Sequence, residues 1–135
     1  MADERAIAIS REDGEHYAWG DGCDGWHLVK SDELSVIEER MPPGTAEARH
    51  WHRQAQQFFY VLAGRATMEI GGEVVALGAG EGVHVAAGVA HQMRNDSGDE
   101  VRFLVISQPR AHGDRVVGRG VLRRWIVSMV RMLLQ

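Results

Sequence analysis

The sequence has a single cysteine, three prolines and no long apolar run. Because Cys23 stands alone, an intrachain disulfide and a cysteine zinc cluster are excluded. The N-terminus is acidic and polar, without the apolar core of a signal peptide. No stretch reaches the roughly 18 apolar residues of a membrane helix. We therefore expect a cytoplasmic protein and do not expect a membrane partner.

Basic residues are scarce in most of the chain. Residues 1–109 carry 9 Lys and Arg against 18 Asp and Glu, whereas residues 110–135 carry six arginines against Asp114 alone. Nucleic-acid affinity depends largely on neutralising phosphates, so the acidic body argues against a nucleic-acid partner. The length of 135 residues, with 44% hydrophobic and 25% charged residues, fits one globular domain.

Glycine is abundant, and it separates short apolar segments. These segments alternate or are rich in β-branched and aromatic residues, which indicates strands. Predicted strands cover 34–41, 58–62, 65–70, 73–77, 83–86, 92–95 and 101–107, with a hairpin turn at Gly71-Gly72. Short strands at this spacing, with no helical pattern between them, predict a β-sandwich or β-barrel.

The N-terminal region is less regular. Residues 6–9 alternate weakly and indicate an edge strand, and residues 17–25 are predicted to form a loop. That loop holds Tyr17, Trp19 and Cys23. Its rings either form an aromatic lip over a pocket or anchor the loop to the barrel. For Cys23 we expect a structural role, because no neighbour in the sequence clearly supplies a cation that would activate the thiol.

The C-terminal tail differs from the body. We place a β-barrel domain at residues 1–115 and a basic amphipathic tail at residues 116–135. Apolar residues from Val121 onward recur at helical spacing, with arginines off that face. The predicted helix packs on its own barrel or on a neighbouring subunit, or it contacts a membrane surface or another partner. The change in composition also fits a tail foreign to the ancestral domain.

Three histidines have the spacing of metal ligands. His50 and His52 lie one residue apart, so on a strand their imidazoles share one face. His91 enters a second predicted strand after a glycine turn. Together they would supply three nitrogen ligands from two strands, close to the minimum for a divalent first-row metal with open positions.

These residues fall into two motifs that resemble those of the cupin superfamily. The first motif, G-x5-H-x-H-x3–4-E-x6-G, is matched at Gly44, His50, His52 and Gly64, with Gln57 in place of the glutamate. The second, G-x5-P-x-G-x2-H-x3-N, is matched at Gly80, Gly88, His91 and Asn95, with Ala86 in place of the proline. The segment between them, 65–79, has the short length of small single-domain bacterial cupins.

The resemblance implies an all-β jelly-roll barrel, often a homodimer, with a metal held inside. By position, His50, His52 and His91 are carried over as ligands, and Gln57 as a weaker neutral ligand. Imidazoles suit zinc, nickel, iron and copper, and a site without a carboxylate retains manganese poorly. A barrel that has lost its metal and kept its pocket is the alternative.

The inner face of the barrel is expected to form a substrate pocket. If Gln57 points inward, Phe59 and Val61 share its face, and Met93 shares that of His91. His84 alternates with Val83 and Val85. We therefore expect it to face outward and not to bind the metal.

The resemblance leaves two functions open. One is a metal-dependent dioxygenase or isomerase acting on a small anionic or enolisable substrate, for which the sequence identifies no general base. The other is a non-catalytic module that binds a small molecule or a metal. The fold alone cannot separate them, since one fold hosts many functions.

Overall fold

The computed structural model describes residues 5–111 and 113–118. A short 3-10 helix, Arg11–Asp13, precedes a series of strands. The strands are β1 (Glu15–Trp19), β2 (Cys23–Lys30), β3 (Ser35–Met41), β4 (His50–His52), β5 (Gln56–Ala63), β6 (Arg65–Ile70), β7 (Glu73–Gly78), β8 (Gly82–Val85), β9 (His91–Arg94), β10 (Val101–Gln108) and β11 (Arg115–Val117). The predicted helix from Val121 lies outside the described residues.

The strands form two antiparallel sheets, so the predicted jelly-roll is confirmed. The 6-stranded sheet has the order β1-β2-β3-β10-β5-β8, and the 5-stranded sheet has the order β11-β4-β9-β6-β7. Side chains that alternate toward the space between the sheets form the core. Its largest fully buried members are Phe103, Met41, Met68 and Met93. Burial of this apolar surface is the main force that holds the sheets together.

Asn95 explains one position of the second motif. Its side chain is fully buried, and Nδ2 donates to the carbonyl oxygens of Met41 at 3.0 Å and Asp99 at 2.8 Å. Its Oδ1 accepts from the backbone of Ser97 at 3.0 Å. Because buried polar groups need partners, this amide ties the end of β3 to the loop before β10. Asn95 therefore has a structural role.

Two expectations for the N-terminal region are wrong. Residues 6–9 form no strand, and Ile7 and Ile9 are exposed. The predicted loop at 17–25 is a hairpin, in which β1 pairs with β2 across a turn at residues 20–22. Of the glycines that indicated a loop, Gly20 and Gly22 lie in this turn. Gly25 lies within β2, where the missing side chain leaves space for the ring of Tyr17. Cys23 is buried in the core, and burial raises the pKa of its thiol, which agrees with a structural role.

The other predicted strands are confirmed within one or two residues, as is the turn at Gly71-Gly72. β11 pairs with β4 and therefore extends the sheet two residues beyond the predicted domain boundary at 115. The domain division itself stays a prediction. Among the described residues, no helix is long and apolar enough to cross a membrane.

The two glycines of the first motif have different surroundings. Both have positive φ, +77° at Gly44 and +83° at Gly64, a conformation that costs an L-residue about 1–2 kcal/mol. A Cβ at Gly44 would meet open space. A Cβ at Gly64 would lie 2.4 Å from the carbonyl oxygen of Glu100, so the chain packs directly against this glycine.

We predict that Gly64→Ala destabilises the fold more than Gly44→Ala. Both variants carry the same backbone strain, but only in the first does the new Cβ clash with the carbonyl oxygen of Glu100, which adds about 1–3 kcal/mol. Urea unfolding of both variants measures the difference in the free energy of unfolding. Equal losses would show that the contact with Glu100 relaxes without cost.

Candidate metal centre

β4 places two imidazoles on the inner side of its sheet. His50 and His52 flank Trp51, and alternation along the strand turns both histidines inward. Their exposed fractions are 4% and 5%, whereas Trp51 is half-buried. Their ring centroids are 5.0 Å apart. The i, i+2 spacing therefore brings two nitrogen ligands together on a single strand.

β9 brings the third imidazole. His91 lies opposite His50 in the antiparallel pairing of β4 and β9 and is fully buried. The His91 ring centroid is 4.5 Å from that of His50 and 5.9 Å from that of His52. One ligand nitrogen from each histidine lies within 4.8 Å of the other two. The structure therefore brings together the three histidines that the sequence selected.

Backbone carbonyls fix the protonation of two rings. Nδ1 of His50 lies 2.8 Å from the carbonyl oxygen of Ala48, and Nδ1 of His91 lies 3.0 Å from that of Val89. A carbonyl only accepts, so these contacts place the proton on Nδ1 and leave the lone pair on Nε2. Nη2 of Arg115 also lies 3.4 Å from Nδ1 of His50, but the Ala48 contact is the shorter one and sets the tautomer. Hydrogen bonds of this kind orient histidines that bind metals.

Several buried side-chain nitrogen and oxygen atoms lack hydrogen-bond partners. Within residues 5–111 and 113–118, these include Nε2 of His91, both ring nitrogens of His52 and Oε1 of Gln57. Burying such groups unpaired is costly, so their grouping indicates a ligand. Neutral imidazole nitrogens and an amide oxygen fit a divalent transition metal, and the histidine cluster could hold one.

All three imidazoles are held neutral. Burial, with the nearby His91 and Arg115 charges, lowers the pKa of His50 to about 3. Burial and the charge of His91 lower the pKa of His52 to about 4, and burial also lowers the pKa of His91. Protons therefore do not compete with a metal for these nitrogens at neutral pH.

Gln57 faces the same interior from the opposite sheet. Its exposed fraction is 6%, and Nε2 donates to Oγ of Ser107 at 2.9 Å across the β5–β10 pair. This bond assigns Nε2 to the serine and leaves Oε1 as the atom available to a ligand. The inward direction expected for Gln57 is thus observed, whereas its role as a ligand stays a prediction.

A cavity of about 660 Å³ opens beside the histidines. Of the predicted pocket residues, Phe59 lines it together with His50, His52 and Gln57. Val61 and Met93 point inward but are packed fully buried in the core, and they do not line this cavity. His84 lies on the outer face, where it bonds Oε1 of Gln56 at 2.9 Å, as its alternation predicted.

Sequence reasoning missed the ionisable residues of the cavity. Glu39, Glu47 and Arg115 line it, and Tyr17 reaches it from β1. Burial raises the pKa of Glu39 to about 7; for Glu47, burial and the charge of Glu39 raise the pKa to about 8. One signal in the sequence could have indicated Glu39. It shares a strand face with Ser35, Ile37 and Met41, so its carboxyl group lies on the side of the strand that faces the core.

Comparisons with known proteins identify the family to which this chain is similar. A family model described as "Cupin domain" matches residues 37–107. Over 71 residues the chain is 31% identical to polyketide synthase CurC of Streptomyces cyaneus, covering 53% of this chain and 46% of that protein. It is 34% identical over 65 residues to quercetin 2,3-dioxygenase of Bacillus subtilis, covering 48% of this chain and 19% of that enzyme.

A solved structure extends the comparison. The polyketide cyclase RemF of Streptomyces resistomycificus superposes with a TM-score of 0.69 at 20% identity, covering 78% of this chain and 81% of that one. At this identity the likeness concerns the fold alone. The chain spans less than half of the CurC relative's length, so activity does not follow from that match.

We predict that Gln57→Glu keeps the fold and tightens zinc binding about tenfold or more, because a carboxylate is a stronger, anionic ligand. Ser107 can still donate to the new carboxylate. Gln56→Glu is the matched control, since Gln56 is exposed on the other side of the same strand. Competition with a chelating dye measures both affinities. Equal affinity in wild type and Gln57→Glu would place Gln57 outside the coordination shell.

Proposed function

Since the chain belongs to the cupin family, we propose that it is a metal-dependent enzyme acting on a small enolisable carbonyl compound. The observation that carries this proposal is the cluster of three neutral imidazoles, two of which, His50 and His52, line one cavity together with the Gln57 amide. A divalent cation held there would supply Lewis acidity. Because none of these ligands is anionic, its charge would favour an enolate or a carboxylate.

Between a dioxygenase and an isomerase-type reaction, we favour the one that moves protons. The same cavity holds the carboxyl groups of Glu39 and Glu47, whose pKa values of about 7 and 8 suit proton exchange near neutral pH. The name of the CurC relative, a polyketide synthase, points the same way. Polyketides carry alternating carbonyl groups, and the carbon atoms between them enolise readily.

The surroundings of the histidines favour an anionic substrate. Nη2 of Arg115 lies 3.4 Å from the carbonyl oxygen of Ala48, beside the His50 ring, and the guanidinium lines the cavity.

Zinc, nickel, iron and copper all suit imidazole ligands. The identity of the metal, a homodimer and a cytoplasmic location stay predictions.

Hydrogen exchange at carbon tests the proposal directly. We expect the zinc-loaded protein to speed deuterium incorporation next to the carbonyl of 2-oxobutanoate or hydroxyacetone, followed by proton NMR in heavy water. His91→Ala should abolish the acceleration, and His84→Ala, on the outer face, should retain it. Tight binding of both probes without any exchange would favour a non-catalytic binding module instead.

A further inference from the structure

Three neighbouring strands build a hydrogen-bonded pair on the cavity wall. Tyr17 lies opposite Gly25 in the β1–β2 pairing, and Gly25 lies opposite Glu39 in the β2–β3 pairing. The Tyr17 hydroxyl donates to Oε1 of Glu39 at 2.8 Å. A side chain on one strand therefore reaches a side chain two strands away.

Gly25 makes this reach possible. A Cβ at that position would lie 2.2 Å from Cζ of Tyr17, so the tyrosine ring occupies the space that any other residue would fill. Glycine in a strand interior weakens the strand, and close approach of another group is one reason for its presence. The gap holds the ring against β2 with its hydroxyl directed at Glu39.

Glu39 keeps an oxygen for a ligand. Among the described residues, Tyr17 is its hydrogen-bond partner, and that bond uses Oε1. Glu39 projects from the sheet opposite to that of β4, and it lines one cavity with His50 and His52 of that strand. Oε2 is therefore placed to meet a substrate held by the histidine cluster.

We propose that Glu39 is the catalytic base that takes the proton from the substrate carbon, and that Tyr17 is the residue that positions its carboxylate. This inference rests on the proposed function. In the step, the C–H bond next to the carbonyl breaks, and the proton bonds to Oε2 of Glu39. The electron pair forms the C=C bond of the enolate, and the negative charge moves to the carbonyl oxygen. Return of a proton from Glu39 to the same carbon restores the carbonyl compound, and exchange of the Glu39 proton with heavy water in between replaces hydrogen by deuterium, so no further reactant is needed.

The charged groups around Glu39 suit this role. Burial raises its pKa to about 7, while the Tyr17 bond and the Arg115 charge oppose the rise. Glu47 differs in its contacts, because Oε1 accepts the backbone N–H of Met93 at 2.9 Å and is thereby tied to β9. Burial and the charge of Glu39 also raise the pKa of Glu47. Glu39, whose hydrogen-bond partner among the described residues is the Tyr17 hydroxyl, is therefore the carboxyl group placed to accept a proton.

Exchange kinetics test the assignment with zinc-loaded protein and 2-oxobutanoate. Glu39→Gln should lower the exchange rate about 100-fold or more, the usual contribution of a general base, without changing zinc affinity. Glu73→Gln is the control, since Glu73 is exposed at the start of β7 and does not line the cavity. Its exchange rate should match that of wild type.

The pH profile separates positioning from a merely structural role. The exchange rate should rise with pH as Glu39 ionises. Tyr17→Phe should move that rise to higher pH, because loss of the donated hydrogen bond raises the pKa of Glu39. Glu39→Asp should keep the rise at a lower rate, which shows that a folded variant still uses the carboxylate.

The results of these experiments separate the roles of Glu39 and Tyr17 from the proposed function. Wild-type exchange that persists in Glu39→Gln, or that is lost in Glu47→Gln alone, would overturn the role of Glu39 and leave the proposed function standing. An unmoved pH profile in Tyr17→Phe would overturn the positioning role of Tyr17. If the zinc-loaded wild type speeds no exchange with either 2-oxobutanoate or hydroxyacetone, the proposed function fails and Glu39 fails with it.

Discussion

The burial of three imidazoles beside one another is the constraint on which the rest of the site depends. Each ring loses its hydration, and Nε2 of His91 and both nitrogens of His52 have no partner among the described residues. Such an arrangement is expensive unless a ligand satisfies the lone pairs. The carbonyls of Ala48 and Val89 hold Nδ1 of His50 and His91, so they prepare the rings for a metal before it binds.

The two sheets divide the chemistry of the cavity between them. Strands β4 and β9 of one sheet supply the neutral nitrogens, and β3 and β5 of the other supply Glu39 and Gln57. The Lewis acidity of a bound cation is therefore expected on one wall of the cavity, and an exchangeable proton on the other. A substrate between the sheets would meet both, which is the arrangement that proton transfer next to a carbonyl requires.

Most of the strands and the pairing of His50 with His52 could be predicted from local periodicity, whereas the jelly-roll topology and the ligand role of His91 came from the resemblance to the cupin motifs. Alternation gives the strand faces, and two histidines at i and i+2 must share one. The hairpin of β1 and β2 was missed because its glycines indicated a loop, although Gly25 serves a cross-strand contact. Glu39 and Glu47 were missed because their burial and raised pKa values arise from strands distant in sequence, which no short motif contains.

The location of the metal tests the central claim most directly. Crystals of the zinc-loaded protein, with data collected on both sides of the zinc absorption edge, would give its position from anomalous scattering. The account predicts one peak at bonding distance from Nε2 of His50, Nε2 of His91 and a ring nitrogen of His52. A peak elsewhere, or coordination of His50 or His91 through Nδ1, would contradict it.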